Sequence, residues 1–123
     1  MGDRPIIAPM KSAPSGVLVV DDERQSVEAI RRTLEDHFEV FVACSAEEAR
    51  GVLDAQPDGR IEVILCDQRM PGLSGIDFLK QVREEFPEIV RVIISGHTDA
   101  EDIIQGINDV GIYQYVLKPW MPA

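Results

Sequence analysis

The sequence predicts an α/β domain built on a doubly wound, five-stranded parallel sheet. Three observations lead there. Five short apolar runs alternate with four amphipathic helical patterns. Three of the runs are nearly unbroken in Val, Ile and Leu, as strands covered on both faces are. Strict alternation of strand and helix implies right-handed crossovers, which leave the strands parallel and put helices on both faces.

The elements follow in order. Strand one is GVLVV, 16–20. Val27, Ile30 and Leu34 then recur at helical spacing. Strand two is EVFVAC, 39–44, followed by a helix marked by Ala46, Ala49 and Leu53. Strand three, IEVILC at 61–66, runs straight into Asp67 and a Met-Pro-Gly turn. Ile76, Leu79, Val82 and Phe86 mark the third helix. Strand four is VRVIIS, 90–95, and a fourth helix carries Ala100, Ile103, Ile104 and Ile107. Strand five is YQYVLK, 113–118. Ser45 and Ser74 stand where helix N-caps belong. Gly51 and Gly106 weaken two of the helices locally.

The chain has 123 residues, enough for one domain with one core. Residues 1–15 read as a disordered arm or linker, too polar and proline-rich for a signal peptide. The domain proper covers 16–119, and 120–123 lead towards a fifth helix or further domain that is truncated or absent here. Acids outnumber bases 22 to 12, a net charge of −10 that suits neither a phosphate backbone nor an anionic membrane. No apolar run approaches the roughly 18 residues of a membrane span. Cys44 and Cys66 lack any metal or redox spacing and read as small buried thiols. A reducing, cytoplasmic setting is expected.

Sites in open parallel sheets form beyond the carboxyl ends of the strands. Asp21, Asp22 and Glu23 follow strand one, Asp67 ends strand three, Ser95 ends strand four and Lys118 ends strand five. Taken singly, each has a plainer reading. The acid run can cap the first helix. Asp67 can mark the strand's exit into water, Ser95 a turn, and Lys118 a guarded sheet edge. Together they form a chemical set. Neighbouring carboxylates repel, and a hard divalent cation such as Mg²⁺ relieves the conflict. An acid nucleophile, a cation, a lysine and a hydroxyl are the parts that accept a phosphoryl group.

The elements VLVVDDE, CDQRMPGLSG, IISG and YVLKP, in that order, resemble the receiver domains of two-component response regulators. The resemblance spans Gly16 to Pro119. It implies a flavodoxin-like sheet of order 2-1-3-4-5. It also implies Asp67 as phosphoacceptor, Asp22 as direct Mg²⁺ ligand, Asp21 as a ligand acting largely through water, and the backbone carbonyl of Arg69 as a further ligand. Ser95 matches the hydroxyl that bonds the phosphoryl group, and Lys118 the lysine that pairs with it. Tyr115 matches the aromatic that turns inward as the serine moves. Arg69 and His97 sit at positions that tune phosphoryl lifetime. The implied role is a signalling switch, limited as an enzyme to self-phosphorylation and slow self-dephosphorylation.

Partners follow from the same resemblance. A sensor histidine kinase donates the phosphoryl group, and an output domain in cis is controlled by it. CDQRMPG with YQYVLKPW is similar to receivers of hydrogenase and nitrogen regulators, whose output is an ATPase with a DNA-binding domain. It is also similar to receivers joined to cyclic-dinucleotide phosphodiesterases. A homodimer is compatible with either. Two alternatives stand beside this reading. One is a Mg²⁺-dependent phosphohydrolase using Asp21 at the end of strand one. The other is a degenerate receiver that only docks a partner. Arg69 is a solvated loop side chain on the plain view; on the sharper one it leans over the acids and competes with the cation. His37 reads as surface at the end of the first helix.

Overall fold

The computed structural model describes residues 15–95 and 114–117, with Ser95 and the last four as backbone. Among them, β1 (Gly16–Val20), β2 (Glu39–Ala43), β3 (Ile61–Asp67), β4 (Val90–Ser95) and β5 (Gln114–Leu117) form one sheet. Its order is β2-β1-β3-β4-β5 and every pair is parallel, the flavodoxin-like arrangement expected. Among the described residues, three helices connect the strands: α1 (Arg24–Leu34), α2 (Ala46–Ala55) and α3 (Gly75–Glu85). The fourth helical pattern, Gly106, Lys118, His97 and 120–123 lie outside the described residues.

The period of two along β1 divides its side chains between two packing layers. Leu18 and Val20 join Ile64, Cys66, Ala49, Leu53, Phe78, Leu79 and Val82 in one buried layer with α2 and α3. Val17 and Val19 join Ile30 and Ile94 in a second layer, with Leu34, Phe38 and Val40 packed on it. Burial of β1 on both sides explains its unbroken apolar run. Each of the larger fully buried side chains, such as Phe78, Leu18 and Ile64, contributes about 2–3 kcal/mol from the apolar surface it removes from water.

Helix ends follow their local chemistry. Ser45 Oγ accepts the Glu48 N–H at 3.0 Å and so caps α2. Ser74 Oγ accepts the Asp77 N–H at 3.2 Å at the start of α3. Both expected caps are present. The acid run before α1 behaves differently from the capping alternative. Glu23 holds the cap position, but its side chain makes no capping bond to the helix. On α1, Arg31 pairs with Glu28 at 2.5 Å and Glu35 at 3.3 Å. Arg50 on α2 reaches Glu85 and, at 3.3 Å, Gln81 on α3, fastening the two helices that share a layer.

Two strand ends differ from the sequence reading. β2 stops at Ala43, so Cys44 lies beyond it and is only half-buried, whereas Cys66 is buried as expected. The Cys44 N–H donates to the Glu48 carboxylate instead of to a ladder. β3 runs one residue longer than its apolar stretch, because Asp67 still pairs with Ile94 of β4. A period-two apolar pattern cannot register a strand position occupied by an acid.

Candidate functional site

The acids meet because of strand order. β1 and β3 are neighbours, and Val20 pairs with Cys66. The residues that follow, Asp21 and Asp67, therefore emerge side by side at the carboxyl edge. The Asp21 N–H donates to the Ala43 carbonyl at 3.1 Å, which carries the β1–β2 ladder one residue further. Asp21 Oδ1 accepts the Glu23 N–H at 3.0 Å, turning the chain from β1 into α1. That turn leaves Asp22 exposed at the mouth of the site.

Oxygens of Asp21, Asp22 and Asp67 lie within 4.8 Å of one another. Asp21 is 1% exposed and Asp67 3%, so Asp67 does not leave the sheet for water as the plain reading had it. Two unit charges at that spacing repel by about 3 kcal/mol at an effective dielectric near 20. Burial of two of the three sharpens the conflict. All the donors are hard anionic oxygens, with one side open through Asp22. That set fits Mg²⁺, which takes one or two carboxylates and keeps several waters. The same charge reaches inward. Burial pushes the Cys66 thiol well up, and the negative charges of Asp67 and Asp21 push it the same way. Its Sγ donates to the Asp67 carbonyl at 3.4 Å.

The loop after Asp67 is closely fitted. Gly72 has φ +86°, a conformation a side chain resists, and it completes the turn after Pro71. Gly75 opens α3 directly against the strand. A Cβ there would stand 2.2 Å from the Asp67 carbonyl oxygen and 2.8 Å from Ile93 Cδ1. Gln68 is buried at 6% exposure, and its N–H donates to the Ile94 carbonyl at 2.9 Å.

A buried acid pair with a third carboxylate at its mouth, on the rim of a 2-1-3-4-5 sheet, is the arrangement the sequence motifs pointed to. Residues 17–123 match the response regulator receiver domain family. The chain belongs to that family. Solved receivers share its shape. A receiver protein from Pseudomonas putida is 33% identical with a TM-score of 0.80, over 89% of this chain and 90% of that one. A receiver domain protein from Clostridium thermocellum is 30% identical with a TM-score of 0.80, over 87% and 84%.

Among curated proteins, this receiver domain is similar to the hydrogenase transcriptional regulatory protein HoxA of Cupriavidus necator, 60% identical over 113 residues. It is 53% identical over 106 residues to the HoxA of Bradyrhizobium diazoefficiens. The matches cover 92% and 86% of the chain but only 23% and 21% of those regulators. The chain thus spans less than a quarter of the length of these relatives. The hydrogenase-regulator likeness read from the motifs is borne out.

The receiver fold brings Asp21, Asp22 and Asp67 together. Arg69 is exposed two residues past Asp67. Ser95 ends β4, one residue beyond Ile94, the partner of Asp67, and pairs with Leu117 of β5. Tyr115 lies in β5 opposite Ile93. The side chains of Ser95 and Tyr115, and all of Lys118 and His97, lie outside the described residues. Sequence reasoning passed over Gln68 and the tight approach of Gly75. Gly75 carried a faint signal, a glycine at the first turn of a predicted helix. Gln68 carried none.

Proposed function

We propose that this receiver domain accepts a phosphoryl group on Asp67 from a sensor histidine kinase and controls an output domain elsewhere in a longer transcription regulator. The observation that carries the reading is the convergence of Asp21, Asp22 and Asp67 at one strand edge, with Asp67 buried against β4. Family members are signalling switches and not turnover enzymes.

Asp22, Asp21, Asp67 and the Arg69 carbonyl would hold Mg²⁺, with Asp21 acting largely through water. When bound, the ion offsets the negative charge that an incoming phosphoryl group adds to three carboxylates. Asp67 then attacks phosphorus in line, and the donor histidine leaves with the bonding pair. Lys118 pairs with the transferred group, and Ser95 donates its hydroxyl to it. Movement of Ser95 vacates space that Tyr115 fills, and the surface of the fourth helix and β5 changes face. His97 and Arg69 tune how long the acyl phosphate survives. No helix among the described residues is long and apolar enough to cross a membrane. The domain works in the cytoplasm, where the kinase's phosphohistidine and the promoter are both within reach. The likeness to HoxA supports hydrogenase gene control as the output.

The test is chemical mapping. The chain is incubated with a small phosphodonor and Mg²⁺, the acyl phosphate is reduced with borohydride, and the modified residue is located by mass spectrometry. Modification at Asp67, absent in Asp67→Asn and suppressed by a chelator, is the expected result. Modification at Asp21 overturns the reading in favour of a hydrolase-type nucleophile, and no modification leaves only a docking module.

A further inference from the structure

We infer that Gln68 is a positioning residue for the metal site, acting as a double cap that closes the acceptor loop onto α3. This rests on the proposed function, because it concerns the ligands assigned there.

The first amides of a helix have no partner within it. In α3 the first three are all supplied from the loop. The Gly75 N–H donates to the Gln68 carbonyl at 2.9 Å. The Ile76 N–H donates to Gln68 Oε1 at 2.9 Å. The Asp77 N–H donates to Ser74 Oγ at 3.2 Å. Only at Phe78, whose N–H meets the Ser74 carbonyl at 2.9 Å, does the ordinary helical pattern begin. Two of the three bonds therefore go to one residue, the one next to Asp67.

Gln68 also faces the other way. Its own N–H donates to the Ile94 carbonyl, so a single buried residue joins β4, the acceptor strand and the start of α3. The 68–75 loop is closed at its base by the two Gln68 bonds, and Gly75 packs on the Asp67 carbonyl from above. Between these fixed points sits Arg69, whose carbonyl is the ligand assigned on this loop. The backbone bonds of Gln68 survive any substitution except proline. The Oε1 bond is the part its side chain alone provides. Its loss strands the buried Ile76 N–H and loosens the peptide that carries the carbonyl ligand.

Outer contacts of this kind typically change metal affinity by about 10- to 100-fold. The experiment titrates the full chain with MgCl₂ by calorimetry and follows thermal unfolding of the same samples. Gln68→Met keeps the length and removes the acceptor; it is expected to weaken Mg²⁺ binding about tenfold. Ser74→Ala removes the neighbouring cap of the same helix without touching the acceptor peptide. It is expected to lower the melting temperature and to leave Mg²⁺ affinity within about twofold. Gln68→Glu retains an acceptor oxygen and is expected to bind no more weakly than the parent chain, which keeps the test valid where Gln68→Met folds poorly. Unchanged affinity in Gln68→Met, equal weakening in Ser74→Ala, or weak binding in Gln68→Glu each overturns the inference. Phosphoryl mapping to a residue other than Asp67 overturns the proposed function while leaving this comparison of affinities standing. A parent chain that binds no Mg²⁺ overturns both.

Discussion

Glycine at two positions shows how differently one residue type acts in this chain. Gly75 has the Asp67 carbonyl where its side chain would be, and that carbonyl belongs to a strand held on both edges. Neither side can give way cheaply. Gly75→Ala is expected to destabilise by about 1–3 kcal/mol and to slow phosphorylation, since the strain falls on the acceptor's own peptide. Gly51, inside α2, has nothing within 4 Å of a built Cβ. Gly51→Ala is expected to stabilise by about 0.5–1 kcal/mol. Chemical denaturation of the two variants reads both signs in one assay. Opposite signs are the expected result; two stabilising substitutions would contradict the close approach at Gly75.

Among the described residues, the helices and strands were legible where apolar spacing decided them. Val27 and Ile30 on α1, Ala49 and Leu53 on α2, and Ile76, Leu79 and Val82 on α3 are all buried, as their spacing implied. Ser45 and Ser74 could be read as caps because a hydroxyl before an amphipathic run has a local use. Gln68 could not, because its partners are Gly75, Ile76 and Ile94, and nothing local marks a glutamine as a cap. Asp67 fell between the two cases. Its type announced a site, but its membership of β3 depended on pairing with β4.

Ion pairs on the helix surfaces act at this same level. The hydrogen bond from Arg31 holds the Glu28 carboxyl below its ordinary value of 4.5, and the nearby guanidinium charges add to it. A lowered native value means stability that is present above 4.5 and disappears as the pH falls through the lowered value. Glu28→Gln is therefore expected to be slightly less stable than the parent at neutral pH, with the gap closing in acid. Denaturant midpoints between pH 7 and pH 3 measure it. The pair is solvent-facing, so salt should shrink the difference.

At the scale of the whole molecule, the acid cluster sets stability against readiness. Three carboxylates are held within 4.8 Å of one another, and like charges at that range repel. Removing one charge should help the metal-free protein. Asp22→Asn is expected to raise the melting temperature in chelator and to lose most of the stabilisation that magnesium gives the parent. That stabilisation is about 2.7 kcal/mol when the free ion stands at about a hundredfold its Kd. A parent chain whose melting temperature ignores magnesium, or an Asp22→Asn that melts lower in chelator, would count against the cluster as a cation site. Parallel pairing was legible at this scale from the alternation of strand and helix, whereas the strand order came from the resemblance to receivers. Of the rim residues, Asp21, Asp22 and Asp67 were legible as a set, because no single local rule explains acids following two neighbouring strands; Lys118 and the Ser95 side chain lie outside the described residues.

Asp21 and Asp67 become neighbours only through the β1–β3 pairing, which skips over β2. Neither acid finds the other by local folding. Both intervening crossovers must be in place before the basin for the ion exists. Ion capture thus follows the β1–β3 pairing and cannot nucleate it. Magnesium should slow the loss of the finished domain far more than it hastens its assembly.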